Sequence, residues 1–169
     1  MKYLLFPLLL IAPLAYAQTP TAGELDYLQA LYRHLHANPE LSFEEEQTAA
    51  RLAREFKEVG YEVTTGVGGH GVVGVLRNGK GPTLLIRADM DALPVLEETG
   101  FEFASRVTTP GTGGREVPVM HACGHDVHMT SLVGVARALS ARRQAWGGTV
   151  VLIAQPAEER GAGAKAMLA

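Results

Sequence analysis

The run Thr149-Val150-Val151-Leu152-Ile153-Ala154-Gln155 is apolar without alternation, as expected of a strand buried on both faces of a sheet. Thr83–Arg87 repeats that pattern. Around these two runs the apolar period is helical. Thr21 and Glu24 make a capping-box pair ahead of Leu25, Leu28, Leu31, Tyr32 and Leu35, and Pro39 ends that helix. Ser42 and Glu45 read as a second box, opening a helix whose inner face is Ala49, Leu52, Ala53, Phe56 and Val59, with Gly60 as its C-terminal cap. A third helix, Val127–Arg142, carries Met129, Leu132, Val133, Ala136 and Leu139 on one stripe, with Asp126 at the N-cap position. Gly161–Ala169 begins another. Tyr61–Thr65 and Val72–Arg77 are strand-like, and Asn78-Gly79 signals a hairpin into Thr83–Arg87. The expected fold is α/β, a mostly parallel mixed sheet flanked by helices. Ligands gather beyond the carboxyl ends of such strands, where Asp89 and Asp91 follow one run and Glu158 and Glu159 the other.

The chain has 169 residues, 47% apolar and 20% charged, with a formal charge of −3 from 15 basic and 18 acidic side chains. No basic run is present, which argues against a nucleic-acid partner. Cys123 is the single cysteine, so no intrachain disulfide forms. Lys2, an apolar run from Tyr3 to Leu14 and Ala15-Tyr16-Ala17 have the layout of a signal peptide over residues 1–17. The apolar run falls short of the roughly 18 residues of a spanning helix. The expected mature chain is therefore residues 18–169, exported to the periplasm or outside the cell, with no stable membrane anchor.

Met120-His121-Ala122-Cys123-Gly124-His125-Asp126-Val127-His128 holds three of the six histidines and the lone thiol. Two residues apart, Cys123 and His125 converge only in a non-helical turn, which Gly124 permits. A sulfur and an imidazole at one point suit a borderline-soft divalent metal, with zinc the simplest choice. The competing reading of Cys123 is a small buried hydrophobe. His121 and His128 are left as outer partners of a metal, substrate contacts or surface residues. Glu158 and Glu159 point in different directions, so one is able to bind metal while the other takes a proton from water; alone, the pair would be a solvated turn. Asp91 or Asp89 is placed to orient a ligating imidazole, or merely to shape a polar turn. Gly66-Val67-Gly68-Gly69-His70-Gly71 matches a dinucleotide-binding string, but the strand expected after it excludes that reading. His34 and His36 sit near a helix C-terminus and receive no role.

These motifs, together with Arg87–Pro94 and Leu35–Phe43, occur in an order that resembles the aminoacylase/carboxypeptidase metallopeptidase superfamily. The resemblance is to the branch of hippurate hydrolase, N-acyl-amino-acid amidohydrolases and plant auxin-conjugate hydrolases, and it covers residues 24–169. It implies a zinc-peptidase-like catalytic domain binding two zinc or manganese ions. Cys123, His125 and Glu159 would be metal ligands, Glu158 the general base, and Asp91 the aspartate that supports the centre. Asp89 stands where other branches carry a ligand histidine and is given no metal role. The implied reaction is hydrolysis of an N-acyl amino acid or small peptide by a metal-activated water. Members of the superfamily are more than twice this length, with an inserted lid or dimerisation domain and two later histidine ligands, and the full-length form is expected to be a homodimer. This chain is therefore expected to be a fragment or a truncated homologue. A catalytically inactive metal- or ligand-binding module is the alternative, and a Cys123-nucleophile hydrolase a weaker third.

Overall fold

The computed structural model describes residues 19–110 and 114–169; the expected signal peptide lies outside them. The elements are α1 (Ala22–Ala37), α2 (Glu46–Glu58), β1 (Glu62–Val67), β2 (Gly71–Asn78), β3 (Thr83–Asp89), β4 (Thr108–Pro110), β5 (Glu116–Pro118), α3 (His125–Ala141), a 3-10 turn at Arg143–Ala145, β6 (Gly148–Gln155) and α4 (Gly163–Leu168). Among the described residues no helix is long and apolar enough to cross a membrane.

The main sheet has the order β1-β2-β6-β3. β1 and β2 pair antiparallel, β2 and β6 antiparallel, and β3 and β6 parallel. The α/β class holds, and within these four strands the sheet is mixed rather than mostly parallel. The hairpin is not where Asn78-Gly79 signals it. It lies between β1 and β2, turning through Gly68-Gly69-His70. After Asn78 the chain steps past one strand position into β3, and β6 fills the gap. The Asn78 amide instead donates to the carbonyls of Arg143 (2.7 Å) and Trp146 (2.6 Å), guiding the segment that feeds β6 into place.

Apolar side chains of α1, α2 and α3 form one core with Val72, Leu76, Ala88, Val150, Leu152 and Ala154 of the sheet. Burial along β6 alternates, with Val150, Leu152 and Ala154 buried and Thr149, Val151 and Ile153 half-buried. Burial of both faces is thus not realised. It fails most clearly on β3, an outer strand whose Leu84 and Leu85 are 53% and 55% exposed.

The Thr21/Glu24 capping box forms as expected, but the Ser42/Glu45 box does not, and Glu45 makes no side-chain cap. The Glu40 carboxylate caps α2 instead, accepting from the amides of Gln47 (3.0 Å) and Thr48 (2.8 Å). Ser42 and Glu45 are thereby free for longer contacts. α3 also starts differently. Gly124, at φ 80°, is its N-cap, and Asp126 lies inside the first turn. Lone bridges from Leu41 to Ala92 and from Leu93 to Met120 bring three loops together at the carboxyl end of β3.

Candidate metal centre

Asp91 organises this end of the sheet. Its side chain is fully buried and accepts hydrogen bonds from Ser42 Oγ (2.6 Å), the Glu158 amide (3.0 Å) and the Glu159 amide (2.9 Å). Its backbone carbonyl accepts from His125 Nδ1 at 2.7 Å, and its Oδ1 lies 3.5 Å from the same nitrogen. Burial pushes the Asp91 carboxyl up, but His125, Ser42 and the two amides outweigh it and hold the group at about 2. In return, the Asp91 side chain raises His125 to about 9 against the opposing effect of burial. Asp91 therefore fixes which His125 nitrogen carries the inward proton, as an outer partner does for a ligating imidazole.

With Nδ1 engaged, Nε2 is the free nitrogen, 3.8 Å from Glu158 Oε2 and 3.9 Å from Glu159 Oε1. Cys123, His125 and Glu159 present ligand atoms that all lie within 4.8 Å of one another. Glu159 Oε1 is buried without a hydrogen-bond partner, a costly state for a carboxylate oxygen unless a cation faces it. Burial, then the neighbouring Glu159 carboxylate and the Glu158 and Asp89 charges, push the Cys123 thiol up; a cation would reverse that balance. Sulfur, imidazole and carboxylate donors with an orphaned oxygen fit a divalent metal such as zinc. The three expected ligands are brought together, Glu158 stands beside them, and Asp91 supports them from behind.

Asp89, for which no metal role is expected, also lies with His125 and His128 so that their ligand atoms are within 4.8 Å of one another. Both groups require His125, which has one nitrogen to give, and Asp89 is already paired with Arg87 at 2.8 Å. His121 is buried with neither ring nitrogen hydrogen-bonded. Burial, with His125 and His36 nearby, lowers it to about 4 despite Asp126 and Asp91.

His36, for which the sequence predicts no role, is a buried clamp. Its Nδ1 lies 2.6 Å from Asp126 Oδ2 and its Nε2 2.9 Å from Glu97 Oε1, so it ties the end of α1 to the start of α3 and to the loop after β3. Burial pulls its pKa down, but hydrogen bonds and attraction to Glu97 and Asp126 prevail and raise it above the ordinary 6.5. A pKa raised by folding stabilises the protein fully below about 6.5, and that contribution is lost as pH rises through the folded value. Replacing His36 with Gln should therefore flatten the fall in melting temperature on the alkaline side of pH 6.5, measured across a pH series. A variant with the wild-type pH slope would contradict this role.

Residues 85–169 match the sequence profile of peptidase family M20/M25/M40. Hippurate hydrolase of Campylobacter jejuni is 46% identical over 138 residues, 80% of this chain and 33% of that protein. IAA-amino acid hydrolase ILR1-like 5 of Arabidopsis thaliana is 41% identical over 140 residues, 83% of this chain and 30% of the relative. This chain thus spans about a third of the length of these curated relatives. Among solved structures, the Bacillus subtilis YXEP protein, described as a dinuclear metal-binding peptidase, superposes with a TM-score of 0.78 at 39% identity. That match covers 88% of this chain and 40% of the other. With more than half of its length matched by the profile, and the donor set assembled where the motifs lie, the chain belongs to peptidase family M20/M25/M40.

Proposed function

We propose that this chain carries the metal-binding and proton-transfer groups of an exported amidohydrolase acting on N-acyl amino acids or small peptides. The observation that carries this reading is the convergence of Cys123, His125 and Glu159, with Glu159 Oε1 orphaned among them. The names of the relatives, a hippurate hydrolase and an IAA-amino acid hydrolase, support an N-acyl amino acid as the substrate class. Cys123, His125 and Glu159 would hold the ion, and a thiolate among the donors favours zinc over manganese. Three protein donors leave positions open for water and substrate. A divalent cation there would acidify water and offset negative charge on the scissile carbonyl oxygen. Glu158, whose side chain is 41% exposed, is the group free to move protons. It accepts one from the attacking water as the C–O bond forms, then delivers it to the amide nitrogen as the C–N bond breaks.

The test uses the folded 169-residue chain, stripped by chelator and titrated with Zn²⁺ and Co²⁺. One tightly bound ion and a thiolate-to-cobalt absorption band that vanishes in Cys123→Ser are expected. Benzoylglycine hydrolysis that requires added metal would complete the case. A folded chain that binds neither ion would overturn the reading.

A further inference from the structure

Glu45 is fully buried, precedes α2, and makes no side-chain contribution to capping it. Its Oε1 instead accepts the amide of Ala157, 112 positions along the chain, at 2.7 Å. Ala157 is one of two non-glycine residues with positive φ among those described, at 49°, and it too is fully buried. L-residues populate this region rarely, and such a conformation persists only where the surroundings over-determine it. Here they do. The Ala157 carbonyl accepts from Ala162 (3.2 Å) and Gly163 (3.1 Å), and a Cβ on Gly163 would lie 1.5 Å from the Pro156 oxygen.

Three successive amides, those of Ala157, Glu158 and Glu159, thus point at carboxylates from elsewhere in the chain, the first at Glu45 and the next two at Asp91. Consecutive amides of this kind form a concavity suited to anions, and the protein fills it with its own side chains. We propose that Glu45 is a positioning residue that holds Ala157 in its left-handed turn and so sets the aim of Glu158 and Glu159. The purpose of that aim rests on the reading given under Proposed function; the bracing of the turn does not. Burial pushes the Glu45 carboxyl up, the direction in which glutamine becomes its closer mimic.

Two substitutions of similar volume separate the hydrogen-bond acceptor from the space it fills. Glu45→Met removes the acceptor and Glu45→Gln keeps it. In the 169-residue chain, Glu45→Met should weaken zinc binding by about 10- to 100-fold, the range seen when outer partners of metal ligands are lost. Hydrogen exchange at the Ala157–Glu159 amides should accelerate with it, while Glu45→Gln stays close to wild type on both measures. Equal behaviour of the two variants, whether both are unaffected or both impaired, would overturn the proposal. If the wild-type chain binds no zinc, the functional reading fails separately, and amide exchange alone decides the matter: protection lost in Glu45→Met and kept in Glu45→Gln supports the brace, and unchanged protection removes it.

Discussion

The Glu158→Gln substitution in zinc-loaded protein should lower turnover of an N-acyl amino acid by about 10²- to 10⁴-fold, the usual contribution of a positioned acid or base, while zinc content stays at the wild-type level. The split follows from how the two adjacent glutamates are held. Both backbone amides are pinned to Asp91 and both carboxylates approach His125 Nε2, at 3.8 and 3.9 Å, yet their surroundings differ: Glu159 Oε1 is buried and unpartnered within reach of Cys123 and His125, whereas the Glu158 side chain is 41% exposed. Glutamine preserves the size and polarity of Glu158 but accepts no proton at neutral pH, so substrate binding should survive and kcat should collapse. Measuring zinc per chain alongside kcat and KM makes the assignment decisive. Loss of zinc together with activity would make Glu158 a ligand, and unchanged kcat would remove it from the chemistry.

Where an interaction is local in sequence, the residues announce it. The Thr21/Glu24 box, the stripes on α1 to α3 and the strand character of β3 and β6 follow from spacings of a few positions. The Cys123-Gly124-His125 turn is legible for the same reason, because two donors so close in sequence converge only through a glycine in a left-handed conformation, and Gly124 has φ 80°. Long-range partnerships leave no such trace. Ser42 and Glu45 have the spacing of a capping box, but their side chains serve Asp91 and Ala157. Asn78-Gly79 carries the strongest short hairpin signal, yet strand order is decided by β6, seventy residues later. The place of His36, four residues after Tyr32 on the inner side of α1, is a local signal of its burial; its partners Glu97 and Asp126 lie 61 and 90 positions away and leave none.

The Asp91→Ala substitution should destabilise the folded chain by about 3–5 kcal/mol, the range for removing one partner of a buried charged network, and abolish zinc binding with it. No other described side chain holds so many separate parts of the centre. Without this carboxylate, the Glu158 and Glu159 amides and the Ser42 hydroxyl lose the buried acceptor they share. His125 keeps the Asp91 backbone carbonyl but loses the charge that most strengthens its protonated form. Asp91→Asn makes the comparison sharper, since it retains one acceptor oxygen and the volume while removing the charge. It should cost less stability than Asp91→Ala, because the Glu158-Glu159 turn keeps part of its anchorage, and still weaken zinc by at least about tenfold, because the imidazole loses its outer carboxylate. Chemical denaturation of the metal-free chain and zinc competition on the same samples separate the two effects. If Asp91→Ala unfolds at the wild-type midpoint, the carboxylate is not what binds the 40s loop, α3 and the Glu158-Glu159 turn into one centre.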